Sequence, residues 1–330
     1  MGMSARARID RRAVLAAAMG AAFGSALWWK RARRTPLERV AIWLADRGAG
    51  QVVGLNSELL HRVVIPVVHP VALQPASGGG VWVVSRLRGA DAHEWLLFDA
   101  SGELRSRGEL AGFRCSRADG RGGFWALVRG GMGLERRGAD GSVEFGPDAR
   151  ELRSTDGRGA SKLAANSNGE LLAWCVQGEL GLIEGEKSVR RECLREEVLD
   201  VCGDDRGWWV LTESRLLELD SGLTERRVWR APERAARLFE SSTGSGVWVL
   251  DRLGKRATLV GDRTREWRTR KWRLAGVSAF RELNHEAILA AAPGALIVLD
   301  RSGEPRAGQG GFDHLVAAAL ASDFGSPTRS

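Results

Sequence analysis

The sequence predicts an all-β fold, a seven-bladed β-propeller closed by a C-terminal strand and preceded by an N-terminal hydrophobic helix. Three observations carry this. Tryptophan recurs at one place in a repeat, as Trp43, Trp82, Trp125, Trp174, Trp209 and Trp248, with Ile288 in a seventh copy, at spacings of 39, 43, 49, 35, 39 and 40 residues. A period near 40 with several short strands per repeat is how a propeller reads in sequence. The tryptophans sit in similar short runs, "GVWVVSR" at 80–86, "GWWVLTE" at 207–213 and "GVWVLDR" at 246–252. Asp and Gly return between the last two strands of a repeat, as Asp99–Gly102, Asp140-Gly141, Asp220–Gly222 and Asp300–Gly303. A tight hairpin needs these residues because its loop visits positive φ.

Each repeat divides into four strands, a to d. In the second, "PVALQPA" (70–76) is strand a and "GVWVVSR" (80–86) strand b. "EWLLFDA" (94–100) is strand c, and "ELRSRGEL" (103–110) strand d. The d strands are polar, as exposed edges should be. The tryptophan on strand b is a wedge between neighbouring sheets, since one large ring buries roughly 150–250 Å². The spacing of 49 reflects a loop insertion, "FGPDARELRSTDGRGA" (145–160), rich in Gly, Pro and Asp. The first repeat begins directly with strand b, "VAIWLAD" (40–46), while a spare "DHLVAAALAS" (313–322) follows the last. The spare segment reads as strand a of the first sheet, which removes two free edges.

The domain plan is therefore a basic N-region (1–12), a transmembrane or signal segment (13–29), a basic linker (30–39), the propeller (40–322) and a C-terminal tail (323–330). The formal charge of the chain is +8, but residues 1–39 carry +7 of it, leaving +1 for the remaining 291. A nucleic-acid-binding domain carries its charge on its own face, so no nucleic acid is expected as partner. The 17-residue apolar run Ala13–Trp29 spans about 26 Å as a helix, close to the thickness of a bilayer core. Arg11-Arg12 before Ala-Val-Leu resembles a bacterial twin-arginine export signal, which implies a periplasmic or extracytoplasmic location with or without an inner-membrane anchor. Lys30–Arg34 argues for the alternative, an anchor whose C-terminal side stays in the cytoplasm. Membrane contact is expected through this segment.

The repeat pattern resembles the NHL-repeat and streptogramin-lyase-like seven-bladed propellers, over nearly the whole chain after residue 39. The resemblance implies the fold and no particular activity, because one fold hosts many functions. The His/Glu and magnesium constellation of those lyases has no match here residue by residue.

Chemical motifs are few. No GxSxG, SxxK, P-loop or GxGxxG pattern is present, and His285-Glu286 has Leu289 where HExxH needs a second histidine. Cys115, Cys175, Cys193 and Cys202 lack metal-site spacing and are expected to be free, mostly buried thiols. No metal, cofactor or catalytic set is assigned. The candidate ligand-binding residues are His69, His314 and Glu196. All three stand just before a strand a, the innermost strand, with Ala111, Ala160, Ala235 and Ala275 at the same place in other repeats. Two imidazoles facing a carboxylate are able to hold a small anion or cation. A basic-aromatic edge, Arg263, Arg265, Trp267, Arg268, Arg270 and Trp272, lies on strand d of the sixth repeat. It reads as an aggregation-resistant rim, with an anionic membrane surface as the alternative. The functional expectation is a non-catalytic, tethered or exported propeller binding a protein or small molecule. The alternative is a propeller lyase or hydrolase acting at the channel mouth.

Overall fold

The computed structural model describes residues 40–321 apart from 57, 88–91, 147–158, 167–169, 175–176, 185–187, 242–245, 254–255, 262–264, 269–276, 278, 284–286, 293 and 300–304. The chain divides into Met1–Arg39 and Val40–Ser330. The leader, with Arg11 and Arg12, lies outside the described residues, as does most of the 145–160 insertion.

Among the described residues the strands form seven four-stranded antiparallel sheets, each in the order a-b-c-d. The second sheet comprises Pro70–Pro75, Val81–Arg86, Ala92–Phe98 and Leu104–Ala111. Its strand c starts two residues earlier than the sequence suggests, at Ala92. Strand a of the first sheet is Leu315–Leu320, paired antiparallel with Ile42–Asp46. Every strand a lies against the strand a of the next sheet, and the seventh lies against the first. The inner strands thus form a closed ring, and the sheets radiate from it as propeller blades.

The core sits between sheets. Trp43 packs on Val81, Val83 and Phe98 of the second sheet. Trp82 packs on Phe124 and Ala126 of the third, Trp174 on Trp208 and Val210 of the fifth. Trp209 meets Val247 and Val249 of the sixth, and Trp248 meets Phe280 and Ile297 of the seventh. Leu296 of the seventh sheet packs with Ile42 and Leu44 of the first, completing the circuit. Trp43 and Trp82 also reach forward with their indole N–H, to the carbonyls of Gly79 (3.0 Å) and Gly122 (2.8 Å) in the following sheet. Trp125 keeps this place although it is only half-buried: it packs on the cluster that joins the third and fourth sheets, with Leu127 and Leu163, while the adjacent Phe124, 5.0 Å from the Trp82 ring, faces back to the second sheet. The side chain of Ile288 lies outside the described set.

The glycine two residues before four of the tryptophans, Trp82, Trp125, Trp209 and Trp248, has a steric cause. A Cβ at Gly80, Gly123, Gly207 or Gly246 would stand 2.4, 2.1, 2.3 or 2.1 Å from a carbonyl oxygen of strand c. Strands b and c approach too closely there for any side chain. The turn residues behave as expected. The Asp99 carboxylate accepts the N–H groups of Ser101 (2.8 Å) and Glu103 (3.0 Å), and Gly102 takes φ 84°.

The fully buried carboxylate of Asp46, at the end of strand b, accepts four backbone N–H groups. Gly48 (3.1 Å) and Ala49 (3.3 Å) come from its own hairpin, Asp313 (2.9 Å) and His314 (2.8 Å) from the entry to the C-terminal strand. Burial pushes the carboxyl pKa up, but the four N–H bonds outweigh it and hold the pKa below the ordinary value. Asp46→Ala leaves those donors without their acceptor and should lower stability by roughly 3 kcal/mol, with Asp46→Asn recovering part of the loss. Urea unfolding at neutral pH checks this; an Asp46→Ala curve superimposing on wild type would show that closure rests on strand pairing alone.

Candidate binding face and channel

The ring of inner strands has an entry face, where the d-to-a and b-to-c loops meet. His69 and His314 lie there, each directly before a strand a and each exposed. His69 holds φ 48° and its carbonyl accepts the N–H of Arg86 at 3.1 Å. His314 is pinned through its backbone, the N–H to Asp46 and the carbonyl to the N–H of Arg47 at 2.9 Å. Strand pairing gives the register independently of any sequence alignment. Pro70 pairs with Ser85, Val198 with Thr212, Ala235 with Asp251 and Leu315 with Asp46. Ser85, Thr212, Asp251 and Asp46 all stand three residues after the strand-b tryptophan. The residues matching His69 and His314 are therefore Glu197 and Arg234, one position away from Glu196 and Ala235. Arg234 shares the positive φ, at 60°, and in the third sheet the carbonyl that accepts the N–H four residues after the tryptophan is that of Ala111, as expected, with Arg129 donating at 2.8 Å.

Glu196 itself is engaged within its own sheet. Its carboxylate accepts from the hydroxyls of Thr212 and Ser214 (2.8 Å) and from Arg215 Nε at 2.6 Å. The Thr212 and Ser214 hydroxyls, then Arg215, outweigh burial and draw its pKa down to about 2.

Deeper in the ring, sequence reasoning missed a second set. The strand-a residue opposite the tryptophan is Gln74, Arg117, Lys162, Cys202 and Phe239 in sheets two to six. It is Glu282 in the seventh and Ala319 in the first. Several polar groups here join one inner strand to the next. Gln74 Nε2 donates to the Ser116 carbonyl (3.1 Å) and hydroxyl (3.0 Å). Lys162 Nζ donates to the Leu199 carbonyl at 3.4 Å. Asp200 Oδ2 accepts the Leu238 N–H at 3.0 Å, and Arg237 donates to the Val277 carbonyl at 2.5 Å. Burial pushes the Asp200 carboxyl up, partly offset by the Leu238 N–H, Lys162 and Arg117. Burial likewise raises the thiols of Cys115 and Cys202, which makes them poor nucleophiles. The signal available in the sequence was Arg117, Lys162, Asp200 and Arg237 on strands otherwise rich in alanine.

The remaining expectations resolve as follows. Cys193 is exposed, because it ends an outer strand d and has no further strand covering it, and Cys175 lies outside the described residues. Arg265, Trp267 and Arg268 do lie on an outer strand, Arg265–Arg268, while Arg263, Arg270 and Trp272 lie outside the described residues. Among the described residues no group of three or more His, Cys, Asp or Glu is placed to hold a metal ion, and no helix is long and apolar enough to cross a membrane.

Glu196 offers a pH test of its local network. A folded pKa of about 2, below the ordinary 4.5, means its contribution is present above pH 4.5 and is lost as pH falls towards 2. Glu196→Gln should cost about 1 kcal/mol at pH 7, after solvent screening, and nothing near pH 2. A cost that persists unchanged in acid would assign the loss to packing.

No family model matches the sequence, and neither does any curated protein. Solved structures do match. A streptogramin B lyase aligns with a TM-score of 0.58 at 12% identity, over 77% of this chain and 90% of that one. Virginiamycin B lyase from Staphylococcus aureus aligns at 0.57 and 11%, over 72% and 83%. AztD from Citrobacter koseri aligns at 0.60 and 11%, over 86% and 98%. At these identities the likeness is one of fold: the chain is a β-propeller, and in that it resembles streptogramin B lyase.

Proposed function

We propose that the chain is a seven-bladed propeller acting as a non-catalytic binding scaffold, exported or membrane-tethered by its leader, with its ligand entering at the d-to-a face. The observation that supports this best is the placement of His69 and His314. They occupy the same register on neighbouring inner strands, at the mouth of the ring, and both are exposed. Their backbones are fixed by hydrogen bonds to Arg86 and to Asp46 and Arg47, so the imidazoles are held on rigid ground while their side chains meet solvent. Exposed polar groups on a rigid rim suit recognition. Glu197 and Arg234, at the equivalent positions of the fifth and sixth sheets, join them on this reading. The likeness to a streptogramin B lyase supports a second reading, a lyase or hydrolase working at the same mouth.

The leader is tested by Arg11→Lys with Arg12→Lys, which keeps charge and removes the arginine pair. If the twin-arginine route carries the protein, it should accumulate in the cytoplasm on cell fractionation; unchanged export would exclude that route.

The mouth is tested by His69→Ala with His314→Ala, screened by thermal shift against a metabolite library beside wild type. Library compounds that stabilise wild type should fail to stabilise the double variant, whose own melting temperature should move by no more than about 2 °C, since both side chains are exposed. Ligands kept by the double variant would place the site elsewhere, and a compound converted to product would favour the enzyme reading.

A further inference from the structure

We propose that the channel carries an anion-binding site, formed by Arg117 and Lys162 and suited to a small molecule bearing a carboxylate or phosphate. This rests on the reading of the ring as a binding channel and gives the chemical class of its guest.

Arg117 and Lys162 stand at the same level on neighbouring inner strands, each opposite the tryptophan of its own sheet. Both are exposed although they belong to the innermost strands. Gln74, at the same level in the second sheet, is half-buried and committed to Ser116, and Lys162 Nζ donates to the Leu199 carbonyl at 3.4 Å. Among the described residues Arg117 makes one hydrogen bond, from Nη1 to the carbonyl of its own neighbour Ser116 at 3.0 Å. That leaves most of its five donors for a guest. Lys162 Nζ lies 5.8 Å from the Trp174 ring centre and 4.0 Å from Asp200 Oδ1, the limit of an ion pair. Asp200 is a carboxylate set against both cations, and its other oxygen is occupied by the Leu238 N–H. Glu282 shares the level but lies on the seventh sheet, across the ring from both. A forked guanidinium beside an ammonium, on the wall of the ring, is an arrangement that holds carboxylate or phosphate.

The test is isothermal titration calorimetry of the full-length protein with two probes, inorganic phosphate and citrate, at low and physiological salt. At least one should bind with a stoichiometry of one, and the preferred probe tells phosphate from carboxylate. Arg117→Gln and Lys162→Gln should each weaken it roughly tenfold, and Lys162→Arg should retain it. Arg121→Ala, an exposed arginine on an a-to-b turn, should change nothing. Should either glutamine variant fail to fold, Arg117→Lys and Lys162→Met replace it, the first expected to bind more weakly and the second to lose binding. Absence of heat with both probes up to about 10 mM would overturn the proposal, as would equal losses from Arg121→Ala. His69→Ala with His314→Ala separates the two ideas. Retained phosphate or citrate binding there, with loss of the library ligands, leaves both standing. Loss of probe binding only in the Arg117 and Lys162 variants, with library ligands kept by the histidine variant, sinks the mouth and keeps the anion site.

Discussion

The joint between the two ends of the propeller is the constraint on which the rest depends. Strand Leu315–Leu320 returns to pair with Ile42–Asp46, and Asp46 binds the N–H of residues 267 and 268 positions away. Closing so long a loop costs conformational entropy, and that cost is met only when the whole ring is in place. Before closure, the first sheet would show a bare strand b with Trp43 and Ile42 on its two faces. The cluster linking the seventh sheet to the first would have no inner strand beneath Leu296. The joint is also where backbones run closest: a Cβ on Gly48 would stand 2.4 Å from the Cβ of Asp313. Small residues and a buried carboxylate make the approach possible, and the carboxylate fixes it in register.

Within the ring, one device is repeated with variation. Strand b carries a glycine to let strand c pass and, two residues on, an aromatic that fills the gap to the next sheet. Where the indole N–H finds a carbonyl one repeat ahead, as in Trp43 and Trp82, the wedge is also a polar link. Trp209 meets the same need inside its own sheet by donating to Asp204 Oδ2 at 2.7 Å. A buried indole nitrogen is better off with a partner, and the a-to-b turn supplies one to Trp43, Trp82 and Trp209, while the buried Nε1 of Trp174 and of Trp208 has no hydrogen-bond partner among the described residues. This explains why those turns start with Asp or Asn: Asp119, Asn166 and Asp204 each accept backbone N–H groups of their own turn.

Much of this was legible in the sequence because it is periodic. The tryptophans, the strands beside them and the spare C-terminal strand follow from a spacing that local composition cannot disguise. The binding face was less legible. An irregularity follows the first residue of strand a in several sheets, between Pro70 and Ala72, Val198 and Asp200, Ala235 and Arg237. A bulge inserts a residue and breaks the alternation by which one aligns strands. The sequence alignment slipped by one there, choosing Glu196 and Ala235 over Glu197 and Arg234. The channel set was missed for another reason. Lys162 and Arg117 sit in strands whose inward partners are other sheets, and no local pattern records which residues a ring brings together.

The two kinds of polar residue on the inner strands also answer to different demands. Inner strands lack a further strand on their axial side, so neighbouring sheets must be tied across a wedge-shaped gap. Gln74 and Asp200 do this from half-buried positions, by bonding hydroxyl or backbone groups of the next inner strand. Such ties serve stability best when they are saturated, because a buried unpaired group is costly. A saturated group has little left for a guest. Arg117 and Lys162 are the opposite case: exposed, weakly tied, and held over structure that is already complete without them. Their positive charge is tolerated since Asp200 stands within reach of Lys162, and since the ring admits solvent beside half-buried alanines. The same fold can thus keep its ring shut with one set of polar residues and present another set to whatever enters it.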